Sequence, residues 1–249
     1  MGIVPSDVDK PALPINIRPL EGQKLTHLKA PAQQRDTART VLLVGNPTFS
    51  QPVDLAGPQN RAELVPLAGA QRELERIQQI VGPSNLSVYT GVAARKDRFL
   101  EQMRRTAIAH FATHGVLNER YPWASYIALA GKNGNLLLDE IPLIPITADL
   151  VVLSACDTSR GRILAGEGVW GFQSQFLSAG ARNVIGTLWR VDDESTADFM
   201  EDFYREMGPE LKNNANALRA AKLKLLHSDK WHHPYYWAPF VLYGQLSSK

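Results

Sequence analysis

The sequence predicts an α/β fold with a mostly parallel central sheet and helices on both of its faces. Three observations lead to this prediction. Short apolar, β-branched runs alternate with segments whose apolar residues recur at helical spacing, as in chains built from strand–helix–strand units. The run Leu150–Leu153 carries no polar residue, which is typical of a parallel strand covered by helices on both faces. Thr106–Phe111 is a second short, largely apolar run, and right-handed crossovers would join such strands into one sheet.

Length and composition set the expected organisation. A chain of 249 residues allows one large domain or two small ones and can bury a substantial core. Residues 1–39 are polar and punctuated by proline, which predicts an extended N-terminal arm or linker with one short strand at Ile15–Ile17. Residues 40–246 are predicted to form the folded domain. The single cysteine excludes an internal disulfide and, with no signal peptide visible, favours a reducing compartment such as the cytoplasm.

Strands and helices alternate along residues 40–246. The predicted strands are Thr40–Val44, Leu86–Tyr89, Thr106–Phe111, Leu150–Leu153, Asn183–Leu188 and Tyr236–Tyr243. The predicted helices are Ala70–Val81, Arg95–Arg104, Val169–Leu177, Ser195–Met207 and Ala215–Leu226. The first helix presents Leu74 and Ile77 on one face and ends at Gly82, a typical helix terminator. Pro239 lies inside the last predicted strand and favours an edge position, because proline cannot donate a ladder hydrogen bond.

Three further segments lie outside this alternation. Ser125–Ala130 and Leu136–Leu138 flank a glycine-containing turn, which predicts a small β-hairpin beside the main sheet. Asp139–Leu143 is expected to contain a short helix. The long loop that ends at about Leu67 is of a length typical of functional or mobile segments.

Two strands deliver reactive side chains to the predicted carboxyl edge of the sheet, where ligands bind in open α/β folds. His114 follows Thr106–Phe111, and Cys156 follows Leu150–Leu153. Because the thiolate is the nucleophile, a nearby imidazole is the usual means of activating a cysteine. Gly115 has no Cβ, so N–H groups beside it can approach a substrate carbonyl as part of an oxyanion hole. The spacing alone leaves a second interpretation open, since a lone cysteine after an apolar strand is more often an inert buried thiol.

Three other patterns suggest different chemistry and carry less weight. His110 and His114 are spaced like metal ligands on a helix, but the segment is predicted as a strand and no further ligands complete a site. His110 is therefore predicted to be a hydrogen-bonded core residue. Gly166–Gly171 matches G-x-G-x-x-G, yet a long loop separates it from the strand and Glu167 would repel a pyrophosphate. The aromatic stretch Trp231–Trp237 is expected to pack at the start of the last strand rather than stack on nucleic acid.

Four longer motifs carry a resemblance to a known family. They are HFATHG at 110–115, ADLVVLSACDT at 148–158, GEGVWGFQSQFLSAGARNVIGTLWRVDD at 166–193 and HPYYWAPFVLYG at 233–244. In this order they resemble the CHAT family, caspase-like domains that often lie beside tetratricopeptide repeats and are related to separase. The resemblance runs from about Val41 to Gly244. It implies a caspase-like three-layer sandwich with the mostly parallel sheet in the middle and a small β-hairpin.

For the site, the resemblance implies a clan CD cysteine endopeptidase whose catalytic dyad is His114 and Cys156. The N–H groups of Gly115 and Cys156 would form the oxyanion hole. The resemblance also places the segment that contains Glu167 beside the catalytic cysteine, where it would shape the substrate cleft. Asp157 would raise the pKa of the neighbouring thiol if it were close, so it is expected to point away or to line the pocket.

Asp192 and Asp193 have two interpretations. Either aspartate would cap the helix that follows, because its carboxylate can accept from the free N–H groups of the first turn. In separase-like relatives an acidic residue at this position receives a basic side chain on the amino side of the cut. Both roles can coexist, one aspartate each, although Arg190 weighs against a purely acidic pocket.

The preferred function is therefore endopeptidase, with a protein substrate and with activation by a tetratricopeptide-repeat or other regulatory partner. The expected setting is a bacterial cytoplasm, and no cofactor or metal is predicted. The net charge of +2 and the lack of a membrane-length apolar run predict no nucleic-acid or membrane contact. The alternative is a catalytically silent caspase-like module that acts as a protein-interaction scaffold. A nucleotide-binding α/β domain is a third class, and it would be stabilised by its nucleotide.

Overall fold

A computed structural model describes residues 40–49, 53–54, 61–62, 64, 67–118, 121–154 and 168–244. The predicted N-terminal arm and the strand at Ile15–Ile17 lie outside these residues.

The described chain alternates strands and helices as the sequence predicts. The strands are β1 (Val41–Pro47), β2 (Val53–Asp54), β3 (Arg61–Ala62), β4 (Leu86–Gly91), β5 (Ile108–Ala112), β6 (Gly115–Val116), β7 (Tyr126–Ile127), β8 (Leu136–Leu137), β9 (Leu150–Leu153), β10 (Asn183–Thr187) and β11 (Phe240–Gly244). The α-helices are α1 (Ala68–Val81), α2 (Lys96–Gln102), α3 (Gly168–Ser178), α4 (Asp193–Met207), α5 (Asn214–Leu226) and α6 (Pro234–Trp237). Short 3₁₀ turns occupy Pro83–Asn85, Pro122–Ala124 and Ile141–Leu143.

The central sheet has six strands among the described residues, in the order β11-β10-β9-β5-β1-β4. Every neighbouring pair is parallel except β10 and β11. This arrangement confirms the predicted α/β class with a mostly parallel sheet. β5 lies between β1 and β9, and its register sets Phe111 opposite Leu153. The strands that precede His114 and Cys156 are therefore direct neighbours.

Helices cover both faces of the sheet because its strands alternate apolar side chains to either side. On the face called here the α1 face, the buried apolar residues of the strands pack against α1, α4 and α5. On the opposite α3 face, they pack against α2, α3 and the turn at Ile141–Leu143. The strand residues of the α1 face are Val41, Leu43, Ile108, Ala112, Leu150, Val152, Ile185 and Phe240. Those of the α3 face are Leu42, Val44, Ala109, Phe111, Val151, Leu153 and Val184.

The predicted hairpin belongs to a larger antiparallel sheet. β7 pairs with β8 as expected, and β6 adds a third strand on the other side of β7. Gly115 is paired with Ile127 and Val116 with Tyr126. The residue after His114 is therefore the first residue of this second sheet, so the candidate histidine lies at the junction of the two sheets.

The predicted last strand is wrong over its first part. Tyr236–Trp237 lies in helix α6, and the strand begins only at Phe240, so Pro239 precedes the strand. Pro234 occupies the first turn of α6, where its missing N–H costs nothing, and the side chain of His233 accepts from the N–H of Tyr235. These local signals favour a helical turn over an extended aromatic run. The predicted edge position is confirmed, because β11 lies at one end of the sheet order.

Strands β1 and β5 approach each other closely at their carboxyl ends. A Cβ atom built on Gly45 would lie 2.5 Å from the carbonyl oxygen of Ala112. No side chain fits in that distance, so glycine at this position permits the close approach. The approach holds the end of β1 against the strand that leads to His114.

Candidate active site

His114 follows β5 by two residues and is buried, with 1% of its surface exposed. His114 and the residue before it, Thr113, are both hydrogen-bonded to Ala128, next to the antiparallel sheet. The hydroxyl of Thr113 donates to the carbonyl oxygen of Ala128 at 2.7 Å, and the N–H of Ala128 donates to the carbonyl oxygen of His114 at 2.9 Å. The ring of Phe49 lies with its centroid 6.0 Å from that of His114. The end of β5 is thus held by hydrogen bonds, which limits its movement.

The backbone N–H of Gly115 faces away from β7. In the antiparallel pair, the bond from Ala128 to His114 flanks the position where Gly115 lies opposite Ile127. Gly115 therefore occupies a non-hydrogen-bonded position of this ladder, where the N–H of each residue is directed away from the partner strand. An oxyanion-hole donor needs this availability, since an N–H already bonded within the sheet could not bind a substrate oxygen.

The sulfur side of the predicted site lies beyond the described residues. Cys156, Asp157 and Glu167 all fall between Ser154 and Gly168, outside the described residues. The last described residue before them, Ser154, is tied to β5 because its N–H donates to the carbonyl oxygen of Phe111 at 3.0 Å.

Asp192 is the N-cap of α4. Its Oδ1 accepts from the N–H groups of Glu194 and Ser195, each at 3.0 Å, which confirms the capping interpretation for this residue. Asp193 is the first helical residue and is exposed. Asp193 lies against Gly69 at the start of α1. A Cβ atom built on Gly69 would come within 2.3 Å of the Cβ of Asp193. The two aspartates therefore have different environments, and the carboxylate of Asp193 does not serve as the cap.

The aromatic stretch packs against the segment that follows β10. The indole N–H of Trp189 donates to the carbonyl oxygen of Tyr235 at 3.1 Å. The hydroxyl of Tyr235 donates to the carbonyl oxygen of Arg190 at 2.9 Å. The predicted packing role of this stretch is confirmed by these contacts.

A buried polar network beneath His114 was not predicted from the sequence. On the α1 face, Oε2 of Glu73 accepts from the hydroxyl of Ser154 at 3.0 Å, and Oε1 of Glu73 lies 2.9 Å from Nε2 of His110. The contact between Oε1 of Glu73 and Nε2 of His110 is short, but its angle is not that of a hydrogen bond. The two groups are therefore a close polar pair. Nδ1 of His110 lies 3.2 Å from the hydroxyl of Tyr204. The predicted hydrogen-bonded core position of His110 is confirmed.

Burial is the main cause that raises the pKa of Tyr204 well above its ordinary value, and the charge of Glu73 raises it further. The phenol therefore stays protonated and can donate to Nδ1 of His110. Within the residues described by the structure, no group of three or more His, Cys, Asp or Glu side chains is placed to hold a metal ion. Among the described helices, none has the length and apolar character of a membrane span.

Comparison with known proteins identifies the family of the chain. The CHAT domain family matches residues 17–245. The chain belongs to the CHAT domain family. The match begins before β1, so it includes part of the predicted N-terminal arm.

Two curated relatives are tetratricopeptide-repeat proteins. The chain is 25% identical over 267 aligned positions to tetratricopeptide repeat protein 28 of Homo sapiens, covering 92% of this chain and 10% of that protein. It is 24% identical over 270 positions to the Mus musculus protein of the same name, again covering 92% of this chain and 10% of the relative. The chain thus spans about a tenth of the length of these relatives.

Solved structures of caspase-like peptidases are similar at low sequence identity. The Saccharomyces cerevisiae separase–securin complex matches with a TM-score of 0.49 and 17% identity, over 83% of this chain and 12% of that chain. The Arg-specific cysteine proteinase gingipain R matches with a TM-score of 0.49 and 7% identity, over 84% and 46%. The Drosophila initiator caspase Dronc matches with a TM-score of 0.45 and 12% identity, over 97% and 92%.

Proposed function

We propose that this CHAT domain is a cysteine endopeptidase that uses His114 and Cys156 as its catalytic dyad. The observation that carries the proposal is the adjacency of β5 and β9, the two strands that precede these residues. Cys156 is two residues beyond Ser154, so the chain keeps its Cα within about 7 Å of that of Ser154. Ser154 is itself bonded to Phe111, three residues before His114. Chain connectivity therefore supports a position for the only thiol of the sequence near the carboxyl end of β5.

The chemistry follows from these residues. The thiolate of Cys156 attacks the carbonyl carbon of the scissile peptide bond, and the N–H groups of Gly115 and Cys156 stabilise the oxyanion that forms. The available N–H of Gly115 supports this role. His114, which carries the proton of the thiol, gives it to the leaving amine as the carbon–nitrogen bond breaks. Water then hydrolyses the thioester, which releases the acid and regenerates the thiol.

The exposed carboxylate of Asp193 is proposed to favour a basic residue on the amino side of the cut. Asp192 is occupied as a helix cap, which leaves Asp193 as the better candidate of the two. Asp157 and Glu167 are proposed to line the same cleft. A cleavage-site profile tests the pocket: Asp193→Ala should abolish a preference for arginine or lysine before the cut. An unchanged preference in that variant would exclude Asp193 from the pocket.

The natural setting is proposed from composition and family. A single cysteine fits the cytoplasm, and residues 40–246 are proposed to form the catalytic domain with residues 1–39 as a linker. The tetratricopeptide-repeat relatives support a regulatory partner with such repeats, either on the same chain or on another. A binding assay with repeat proteins encoded beside this chain tests the partner, and a lack of complex with any of them would count against it.

The decisive experiment measures cleavage of a peptide and protein panel by the wild type and by Cys156→Ala and His114→Ala variants. Both substitutions should reduce cleavage to background. Equal cleavage by wild type and Cys156→Ala would contradict the proposal. Because the chain has one cysteine, alkylation by iodoacetamide gives a second measurement: an activated thiol reacts faster in wild type than in His114→Ala.

One observation favours the alternative, a catalytically silent interaction module. His114 has 1% of its surface exposed, whereas a catalytic histidine must reach the substrate. The alkylation experiment separates the two functions. Under the scaffold alternative, Cys156 reacts slowly in wild type, and His114→Ala does not change its rate.

A further inference from the structure

Glu73 is a buried carboxylate on a helix face that is otherwise apolar. It lies in α1 among Ala70, Leu74 and Ile77 and has 3% of its surface exposed. A carboxylate without partners at such a position would be strongly destabilising, because it has lost its water of hydration. The fold retains Glu73 in contact with side chains from two strands, Ser154 at Oε2 and His110 at Oε1.

The two contacts of Glu73 reach the two strands that precede the candidate dyad. His110 lies in β5, four residues before His114, and Ser154 lies directly after β9, two residues before Cys156. The hydroxyl of Ser154 is also 3.2 Å from the carbonyl oxygen of Phe111, so one side chain joins α1, β5 and the end of β9. A shift of one strand end relative to the other would break at least one of these contacts.

The far side of the network is closed by Tyr204, which is fully buried in α4. Its hydroxyl lies 3.2 Å from Nδ1 of His110 and fixes the orientation of that ring. The imidazole of His110 therefore has a polar neighbour on each nitrogen, and neither is a group that substrate would contact. His110, in the middle of β5, thereby links helix α1 to helix α4.

We propose that Glu73 is a positioning residue that holds the ends of β5 and β9 in fixed relation through Ser154 and His110. The inference rests on the proposed peptidase function, because the residues positioned are His114 and Cys156. Glu73 makes no contact with substrate. It fixes where the chain leaves β9 relative to the end of β5. A fixed relation between these two strand ends is what activation of a thiol by an imidazole requires.

The test measures the rate of Cys156 alkylation by iodoacetamide as a function of pH. Glu73→Leu removes both contacts, Ser154→Ala removes the contact at Oε2, and Glu73→Gln keeps the shape and the ability to accept hydrogen bonds. We expect Glu73→Leu to slow alkylation at neutral pH about 10-fold or more and to move the pH midpoint towards that of an ordinary thiol, near 8.5. Ser154→Ala should give a smaller change in the same direction, and Glu73→Gln should recover much of the rate.

The matched control is Glu75→Gln, an exposed glutamate in the same helix that accepts from the side chain of Gln71 at 2.8 Å. It should leave the rate and its midpoint unchanged. Folding of each variant is checked by thermal denaturation. If Glu73→Leu does not fold, Ser154→Ala decides the question. A purely structural role would lower the melting temperature of Glu73→Leu and Ser154→Ala but keep the wild-type pH midpoint, and that result would overturn the inference.

The two hypotheses fail in different ways. If the wild type shows an ordinary thiol midpoint and His114→Ala does not change it, the peptidase proposal fails and the positioning role fails with it. If the wild type is activated through His114 while Glu73→Leu and Ser154→Ala keep its midpoint, only the positioning role is excluded.

Discussion

The two faces of the central sheet use their buried side chains differently. On the α1 face, Glu73, His110 and Tyr204 connect two helices to the middle of β5, and Ser154 extends the contacts to the end of β9. On the α3 face, aromatic rings pack against one another, as Phe111 does with Phe99 at 4.9 Å between centroids. Polar contacts have directional requirements and so constrain geometry, whereas apolar packing contributes stability and tolerates change in shape. The comparison indicates that polar contacts constrain the strand ends on the α1 face, while both faces contribute apolar packing.

The largest effect is expected on the α3 face. Phe176→Ala should lower the free energy of unfolding by about 3–5 kcal/mol, since the ring is fully buried and packs 5.8 Å from that of Phe111. Urea denaturation measures the loss. Leu143→Ala is the control, because Leu143 has 82% of its surface exposed and should change stability by less than about 0.5 kcal/mol. A loss below about 1 kcal/mol for Phe176→Ala would show that aromatic packing on this face contributes little to stability.

Gln173 is a buried polar residue on the mostly apolar α3 face, and its replacement tests whether apolar packing alone stabilises this face. Its amide is buried in α3, over Gly186, and among the described residues neither amide atom has a hydrogen-bond partner. Gln173→Met keeps the length of the side chain and removes the unsatisfied groups, so we expect a gain of about 1–2 kcal/mol in the free energy of unfolding. Gln175→Met, in the partly exposed part of the same helix, is the control. A loss of stability in Gln173→Met would mean that the amide is needed.

The smallest effect concerns Tyr204 on the α1 face. Tyr204→Phe removes the hydroxyl from Nδ1 of His110 and should cost about 1 kcal/mol at neutral pH. Because the pKa of Tyr204 is raised by burial, its contribution is fully present below about pH 10, the value in the unfolded chain, and is lost as pH rises above it. The stability of Tyr204→Phe should therefore fall less steeply than that of the wild type above pH 10.

Tyr126→Phe is the matched control for this prediction. Burial also raises the pKa of Tyr126, but among the described residues its hydroxyl has no hydrogen-bond partner. The substitution should flatten the alkaline fall in stability without any loss at neutral pH. Chemical denaturation from pH 7 to 11 measures both variants. An equal loss at neutral pH in the two would mean that the hydroxyl of Tyr204 contributes nothing through His110.

Patterns within one strand or helix could be predicted from the sequence. Leu150–Leu153 is a strand to the residue, because a strand covered on both faces must be apolar throughout. The predicted first helix starts two residues late, at Ala70 instead of Ala68. Its predicted end at Val81 is correct, because Gly82 ends the helix with a positive φ of 75°. β11 was predicted too long, because an aromatic run fits a strand by composition while the local proline and cap favour a helical turn.

The candidate site could be predicted only in part. The position of His114 at a strand end follows from an apolar run that stops, which is local information. The network depends on contacts over long separations, such as Glu73 with Ser154, and a single sequence holds no direct signal for them. One clue was present: Glu73 shares the helix face of Ala70 and Ile77, and a charged residue in such a stripe indicates a buried polar contact. Its partners still required the sheet order.

Because β11 is antiparallel to the other strands, the first residue of β1 and the last residue of β11 lie at the same edge of the sheet, where the parallel strands begin. β1 starts there at Val41, and β11 ends there at Gly244, opposite the first residue of β10. His114 follows β5 at the other edge, about one strand length or roughly 15 Å away. Additional domains can therefore be fused before β1 and after β11 with both junctions remote from His114. Such modularity suits a unit that is matched by only a tenth of a much longer repeat protein.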